Sequence, residues 1–151
     1  MPSLRHAIIA ASLAIAGALG LVVPSWTTTA PIAVEVAGLR SNEGMVLGAI
    51  FASARGWTEE GREIATCRAS IARQHATCVI DGLPPGTYAF AFLHDEDLDG
   101  HMDRDWIGIP QEGYGFSNDA APGLGPPSFE SASFAHGESE TVLHVHARYG
   151  I

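Results

Sequence analysis

The chain has 151 residues, a formal net charge of −9 and no lysine. That length is enough for one domain with its own core. The acidity argues against a nucleic-acid partner, and the missing lysine excludes Schiff-base chemistry and a phosphate loop of the G-x-x-x-x-G-K kind.

The first element stands apart from the fold. MPSLRH carries Arg5, an uncharged run follows from Ala7 to Val23, and the small polar stretch PSWTTTA comes next. This three-part layout predicts a secretory signal peptide over residues 1–30. Thr28 and Ala30 suit the positions before a cut, although Pro31 directly after one would be uncommon. The rival reading is an uncleaved anchor, but the apolar run is short for a bilayer and rich in Ala and Gly. The expected location is therefore periplasmic or secreted, with no stable membrane anchor unless the segment stays uncleaved. Residues 31–151 are expected to form a single domain.

Period-two alternation, the signature of strands, runs through this part. In IAVEVAG, Ile32, Val34 and Val36 point one way and Glu35 the other. GMVLGAIFAS places Met45, Leu47, Ala49 and Phe51 on one face. Cys67–Ile71 and Ala76–Ile80 read as two arms of a hairpin with its turn near Arg73 and Gln74. Cys67 then lies opposite Cys78, and in an exported chain this even pair reads as a disulfide. Pro85-Gly86 suits the centre of a type II turn, because proline presets φ and glycine tolerates a positive one. Tyr88, Phe90 and Phe92 follow, alternating with Ala89, Ala91 and Leu93. One strand is expected through SFESASFAH, residues 128–136. The last, in ETVLHVHARY, sets Leu143, Val145, Ala147 and Tyr149 against Val142, His144, His146 and Arg148. The pattern predicts an all-β fold, an antiparallel β-sandwich of six to seven strands. Residues 95–127 are left as one long ordered loop, too apolar for plain disorder and of a length that is usually functional.

That loop opens with HDEDLDGHMDRD, in which six of twelve residues are acidic. Asp95, Asp97 and Asp99 alternate, and Gly100 follows. This matches the first half of a calcium loop, D-x-D-x-D-G, with oxygen donors at the first, third and fifth positions and glycine at the sharp turn. His101 would add a backbone carbonyl, and Asp103 stands where a carboxylate binds directly or through water. The twelfth position is Trp106 and not the bidentate Glu of an EF-hand. Asp105 or Glu112 are candidates to complete the shell. Hard oxygen donors favour a structural Ca²⁺ over Zn²⁺ or Cu²⁺. The alternative is an acidic turn without an ion. His94, His101, His144 and His146 are weaker metal candidates, since pairs without a third partner are a poor signal.

The run LPPGTYAFAFLHDEDLDGHMDRDWIGIPQEGYGFSNDA, followed by GPPSFESASF, resembles the bacterial domain-of-unknown-function family 2141. The shared features are Gly86–Tyr88, His94–Asp103, Gly108, Pro110, Glu112–Asn118 and Gly125–Phe129. Asp97 and Asp99 stand where the family usually has Asn, which makes this turn more negative. The resemblance implies a secreted β-sandwich similar to transthyretin-like and collagen-binding-B-like modules, and no particular reaction.

No catalytic constellation is recognisable. The carboxylates crowd on one turn instead of facing each other across a cleft, and Ser117 lacks the G-x-S-x-G elbow. The expectation is an exported module that binds an envelope glycan or protein without catalysis, through a Ca²⁺-stabilised loop bearing Trp106, Tyr114 and Phe116. The alternatives are a purely structural envelope domain and a metal-dependent hydrolase using His94 with the Asp-rich turn.

Overall fold

A computed structural model describes residues 29–150. The expected signal peptide lies outside the described residues apart from its last two positions. Eight strands form two sheets: β1 (Ile32–Ala37), β2 (Met45–Phe51), β3 (Ala65–Ser70), β4 (Ala76–Ile80), β5 (Gly86–Asp95), β6 (Gly113–Phe116), β7 (Ser133–His136) and β8 (Thr141–His146). The small sheet has the order β4-β1-β8, and the large one β3-β2-β5-β6, with β7 also pairing with β5. The expected all-β sandwich is the observed fold. All pairs are antiparallel except β1–β8, which is parallel.

The strands form where alternation gives each sheet an apolar inner face. Central β1 contributes Ile32, Val34 and Val36, all fully buried, against Val46, Ile50, Phe90 and Phe92 of the large sheet. Each such side chain contributes about 1.5–3 kcal/mol when removed from water. In β2 the inner face is Val46, Gly48 and Ile50. Met45, Leu47, Ala49 and Phe51 do share a face, as the alternation predicts, but it is the outer one. Both faces of β2 are apolar, so alternation alone could not tell which packs inward.

Four local expectations are corrected. The turn at Arg73 and Gln74 exists: both have positive φ, and Ala72 and His75 exchange two backbone hydrogen bonds of 2.9 and 3.0 Å. Beyond it the arms part. β3 joins the large sheet and β4 the small one, so the Cys67–Cys78 disulfide ties the two sheets together rather than the rungs of one hairpin. Gly48 makes room for it, since a Cβ there would lie 2.5 Å from the Cys67 sulfur and 2.6 Å from Phe90. Pro85-Gly86 is not a type II turn; the positive φ falls at Gly82, and Gly86 already opens β5. Residues 128–136 begin as a helical turn, α1 (Phe129–Ala132), because Ser128 Oγ accepts from Ser131 N at 3.1 Å and caps it. The long connection of 95–127 is also interrupted, by β6 and a 3-10 turn at Ser117–Asp119, which brings the strand count to eight.

The inter-sheet disulfide closes a loop with a sequence separation of 11. Loop-closure entropy assigns such a link about 3 kcal/mol. The double variant Cys67→Ala/Cys78→Ala should lose roughly that much stability in urea unfolding, and a loss under about 0.5 kcal/mol would show that the sheets hold without it.

Candidate functional site

β5 is the longest strand, and it ends at Asp95. Its inner residues continue the core up to His94, which is fully buried. His94 Nε2 lies 2.9 Å from the Glu43 carbonyl, so this nitrogen carries the proton. Nδ1 then accepts from the Tyr149 hydroxyl at 2.8 Å. Both ring nitrogens are thus engaged, and the imidazole reaches no solvent. This geometry does not favour His94 as a general base of a hydrolase.

The next residue turns the chain into the acidic loop. Gly44 has φ +67, and a Cβ there would fall 1.9 Å from the Asp95 carbonyl, so only glycine lets the 39–44 segment pass this close. Arg40 grips Glu96 with two prongs, Nε to Oε1 at 3.0 Å and Nη2 to Oε2, and Ser41 Oγ adds a bond of 3.1 Å. The hydrogen bond from Arg40 holds the Glu96 carboxyl below the ordinary glutamate range, against the opposing effect of burial. Arg40 also lies 4.7 Å over the Tyr149 ring. Glu112 clamps the loop from the other side. It is buried, and its two oxygens accept from Glu96 N at 2.8 Å and Asp103 N at 3.2 Å.

Between these clamps Asp95, Asp97 and Asp99 come together. One carboxylate oxygen of each lies within 4.8 Å of the others, a spacing at which one cation can touch all three. Asp97 and Asp99 are exposed, while Asp95 is 2% exposed. Asp95 Oδ2 accepts from Gly100 N at 3.1 Å. Asp95 Oδ1 is buried and has no hydrogen-bond partner among the described residues. The other expected donors are less gathered. His101 gives its amide to Asp99 Oδ1 at 2.7 Å, and Asp103 is exposed outside the three-residue cluster. Asp105 Oδ1 accepts from Ile107 N and Ile109 N at 3.0 and 2.9 Å, so it shapes the following turn. Like Glu112, it is already committed.

The three aromatic candidates separate. Trp106 is 94% exposed at the loop tip. Tyr114 is half-buried, and its hydroxyl donates to the Gly150 carbonyl at 2.9 Å. Phe116 is buried beside Trp57, with ring centroids 5.9 Å apart. The last two line a cavity of about 920 Å³ over the outer face of the large sheet, walled by segments near residues 58–63, 100–110 and 122–126. This cavity was not among the expectations from the sequence. Its signal was the double apolar alternation of β2 and β5, which predicts strands covered on both faces.

The remaining histidine candidates form simple carboxylate pairs. His144 Nδ1 meets Glu35 at 3.0 Å and His146 Nδ1 meets Asp119 at 2.8 Å. Burial raises the Asp119 carboxyl, but the amide and ring of His146 outweigh it, and its net shift is downward.

A family model described as "Uncharacterized protein conserved in bacteria (DUF2141)" matches residues 34–144, well over half of the chain. No curated protein and no solved structure matches.

The Glu96 clamp has a pH signature. A depressed folded-state pKa adds stability that is complete above the unfolded glutamate value of about 4.3 and is lost as pH falls through the folded value. Unfolding of wild type and Glu96→Gln should therefore differ most near neutral pH, with wild type the more stable. The gap should close below about pH 4.3. A gap that stays constant across the titration would remove the Arg40 pair as its cause.

Proposed function

The chain belongs to the domain-of-unknown-function family 2141, and from that premise we propose that it is an exported, non-catalytic binding module of the bacterial envelope whose acidic loop is fixed by one Ca²⁺. The observation that carries this reading is Asp95 Oδ1. A buried oxygen without a partner costs about 1–3 kcal/mol, and more when charged. Here it sits within a cluster whose other two members add negative charge. A hard cation offsets both costs at once, by satisfying the lone pair and cancelling the repulsion. Asp95, Asp97 and Asp99 are the proposed ligands, with the His101 carbonyl and Asp103 as further donors along the same loop.

The ion would make the loop a rigid platform. Its tip presents Trp106 to solvent, and Leu98 is 60% exposed within it. A tryptophan held in water on an ordered loop supports contact with a partner, an envelope glycan or protein, over a purely structural role.

Calorimetry and melting curves in millimolar Ca²⁺ and in chelator provide the test. We expect binding in the weak extracellular range, on the order of 10⁻⁴ to 10⁻³ M, because the bidentate twelfth-position Glu is missing. A hundredfold excess over Kd should stabilise the fold by about 2.7 kcal/mol. Asp97→Ala should abolish the calcium-dependent rise in Tm without destabilising the chelated protein. Identical melting in both buffers, with no heat of binding, would leave the turn as a solvated one.

A further inference from the structure

The cavity on the outer face of the large sheet goes beyond that reading, because neither Trp106 nor the three clustered aspartates line it. Its floor follows from strand register. One cross-strand row on the outer face is Arg68–Leu47–Leu93–Tyr114, and the next is Thr66–Ala49–Ala91–Phe116. The second row has alanines at its centre, so it is low. It is flanked by Leu47 and Leu93 on one side. On the other stands Phe51, whose ring meets that of Trp57 edge-on at 5.2 Å. The flanking rows are four residues apart along the strand, or about 13 Å, and the trough crosses four strands, about 14 Å. It is a channel for one slender body.

The centre of the floor offers no hydrogen-bonding side chain, and the hydroxyl of the alanine row, on Thr66, stands at its β3 end. Leu47, Ala49, Ala91 and Leu93 carry no polar side-chain atom, and the Tyr114 hydroxyl is already spent on Gly150. A sugar laid across that centre would leave the hydroxyls facing it unpaired, at a cost of roughly 1–3 kcal/mol each. A peptide strand would meet backbone groups already used in the sheet ladders. The loops add apolar walls. Ile107 and Leu124 both line the cavity, and both remain exposed, at 59% and 113%. The rim carries both signs of charge. Glu59 lies 3.9 Å from Arg62, whereas Glu60, Glu63, Arg68 and Arg104 form no ion pair among the described residues. Two anions and two cations complement a head that itself carries both charges.

We propose that the trough over Ala49 and Ala91 binds a single-chain amphiphile, its apolar tail along the alanine row and its zwitterionic head among Glu60, Glu63, Arg68 and Arg104. The proposal rests on the reading of the chain as a binding module, but not on calcium.

The test uses the purified full chain in chelator, with the uncharged fluorophore N-phenyl-1-naphthylamine as reporter. Its emission should rise on binding. Lauroyl lysophosphatidylcholine below its micelle concentration should displace it. Laurate and dodecyltrimethylammonium, with the same tail length but a single charge, should compete about tenfold less well. Ala91→Trp should weaken the reporter by about tenfold while the protein still melts cooperatively. Leu124→Asp, on an exposed loop, carries the same expectation should the tryptophan variant not fold. Exchanging Arg68 and Arg104 for Glu should turn the preference towards the cationic detergent. A wild type that does not light up the reporter overturns the proposal. So does equal competition by all three heads, displacement by soluble glycan fragments, or full binding by both cavity variants. The calcium-dependent melting is a separate measurement, so either idea can fail alone.

Discussion

Strand β5 carries apolar side chains on both of its faces, and the rest of the molecule is arranged around that constraint. Tyr88, Phe90 and Phe92 face the small sheet and fill the core. Ala89, Ala91 and Leu93 face outward, where an ordinary sandwich would meet water. Something must cover that second face. The chain between β5 and β7 does so in part, through Phe116, Ala120 and Ala132 packed with Trp57 and Phe129. Where the cover stops, the cavity begins. The same strand ends by delivering His94 into the core and Asp95 into the acidic cluster, so core, cavity and candidate ion site share one register.

Much of this was legible in the residues. The alternation in β1, β5 and β8, the paired cysteines and the D-x-D-x-D-G spacing depend on near neighbours, and local pattern is what a sequence displays best. The parting of β3 and β4 was not legible. A two-residue turn with both residues at positive φ looks like a hairpin, and only the competition between two sheets for its arms decides that they separate. The face of β2 was ambiguous for a related reason: Leu47 and Ile50 are equally apolar, and a pattern without a polar side has no outside. β6 was hidden because two of its four residues are glycine, a weak strand former. Arg40 and Ser41 could not be connected to Glu96 across more than fifty intervening positions.

The structure also gives a physical account of the family's G-Y-G-F-S-N run. Gly113 and Gly115 pair with the inner residues of β5, and a Cβ at either would strike a ring: Tyr149 at 2.7 Å for the first, Phe92 at 2.4 Å for the second. Ser117 is fully buried and bonds the Phe90 amide and the Ala132 carbonyl. Asn118, at positive φ, donates to the carbonyls of Ser131 and Ser133. Each of these residues answers a demand of space or of an unpaired backbone group. The run is a joint that fastens the outer cover to the sheet, and its residue types follow without invoking a reaction.

The parallel pairing of β1 with β8 has a kinetic side. β1 is the centre of the small sheet, yet one of its two partners is the last strand described. A ladder between segments this distant in sequence forms late, because the loop-closure entropy is spent before any of its contacts form. Until β8 arrives, the backbone edge of β1 that it will pair with stays open. The ladder that completes the small sheet is thus the one with the greatest separation along the chain, and the edge it closes is the last to be shielded.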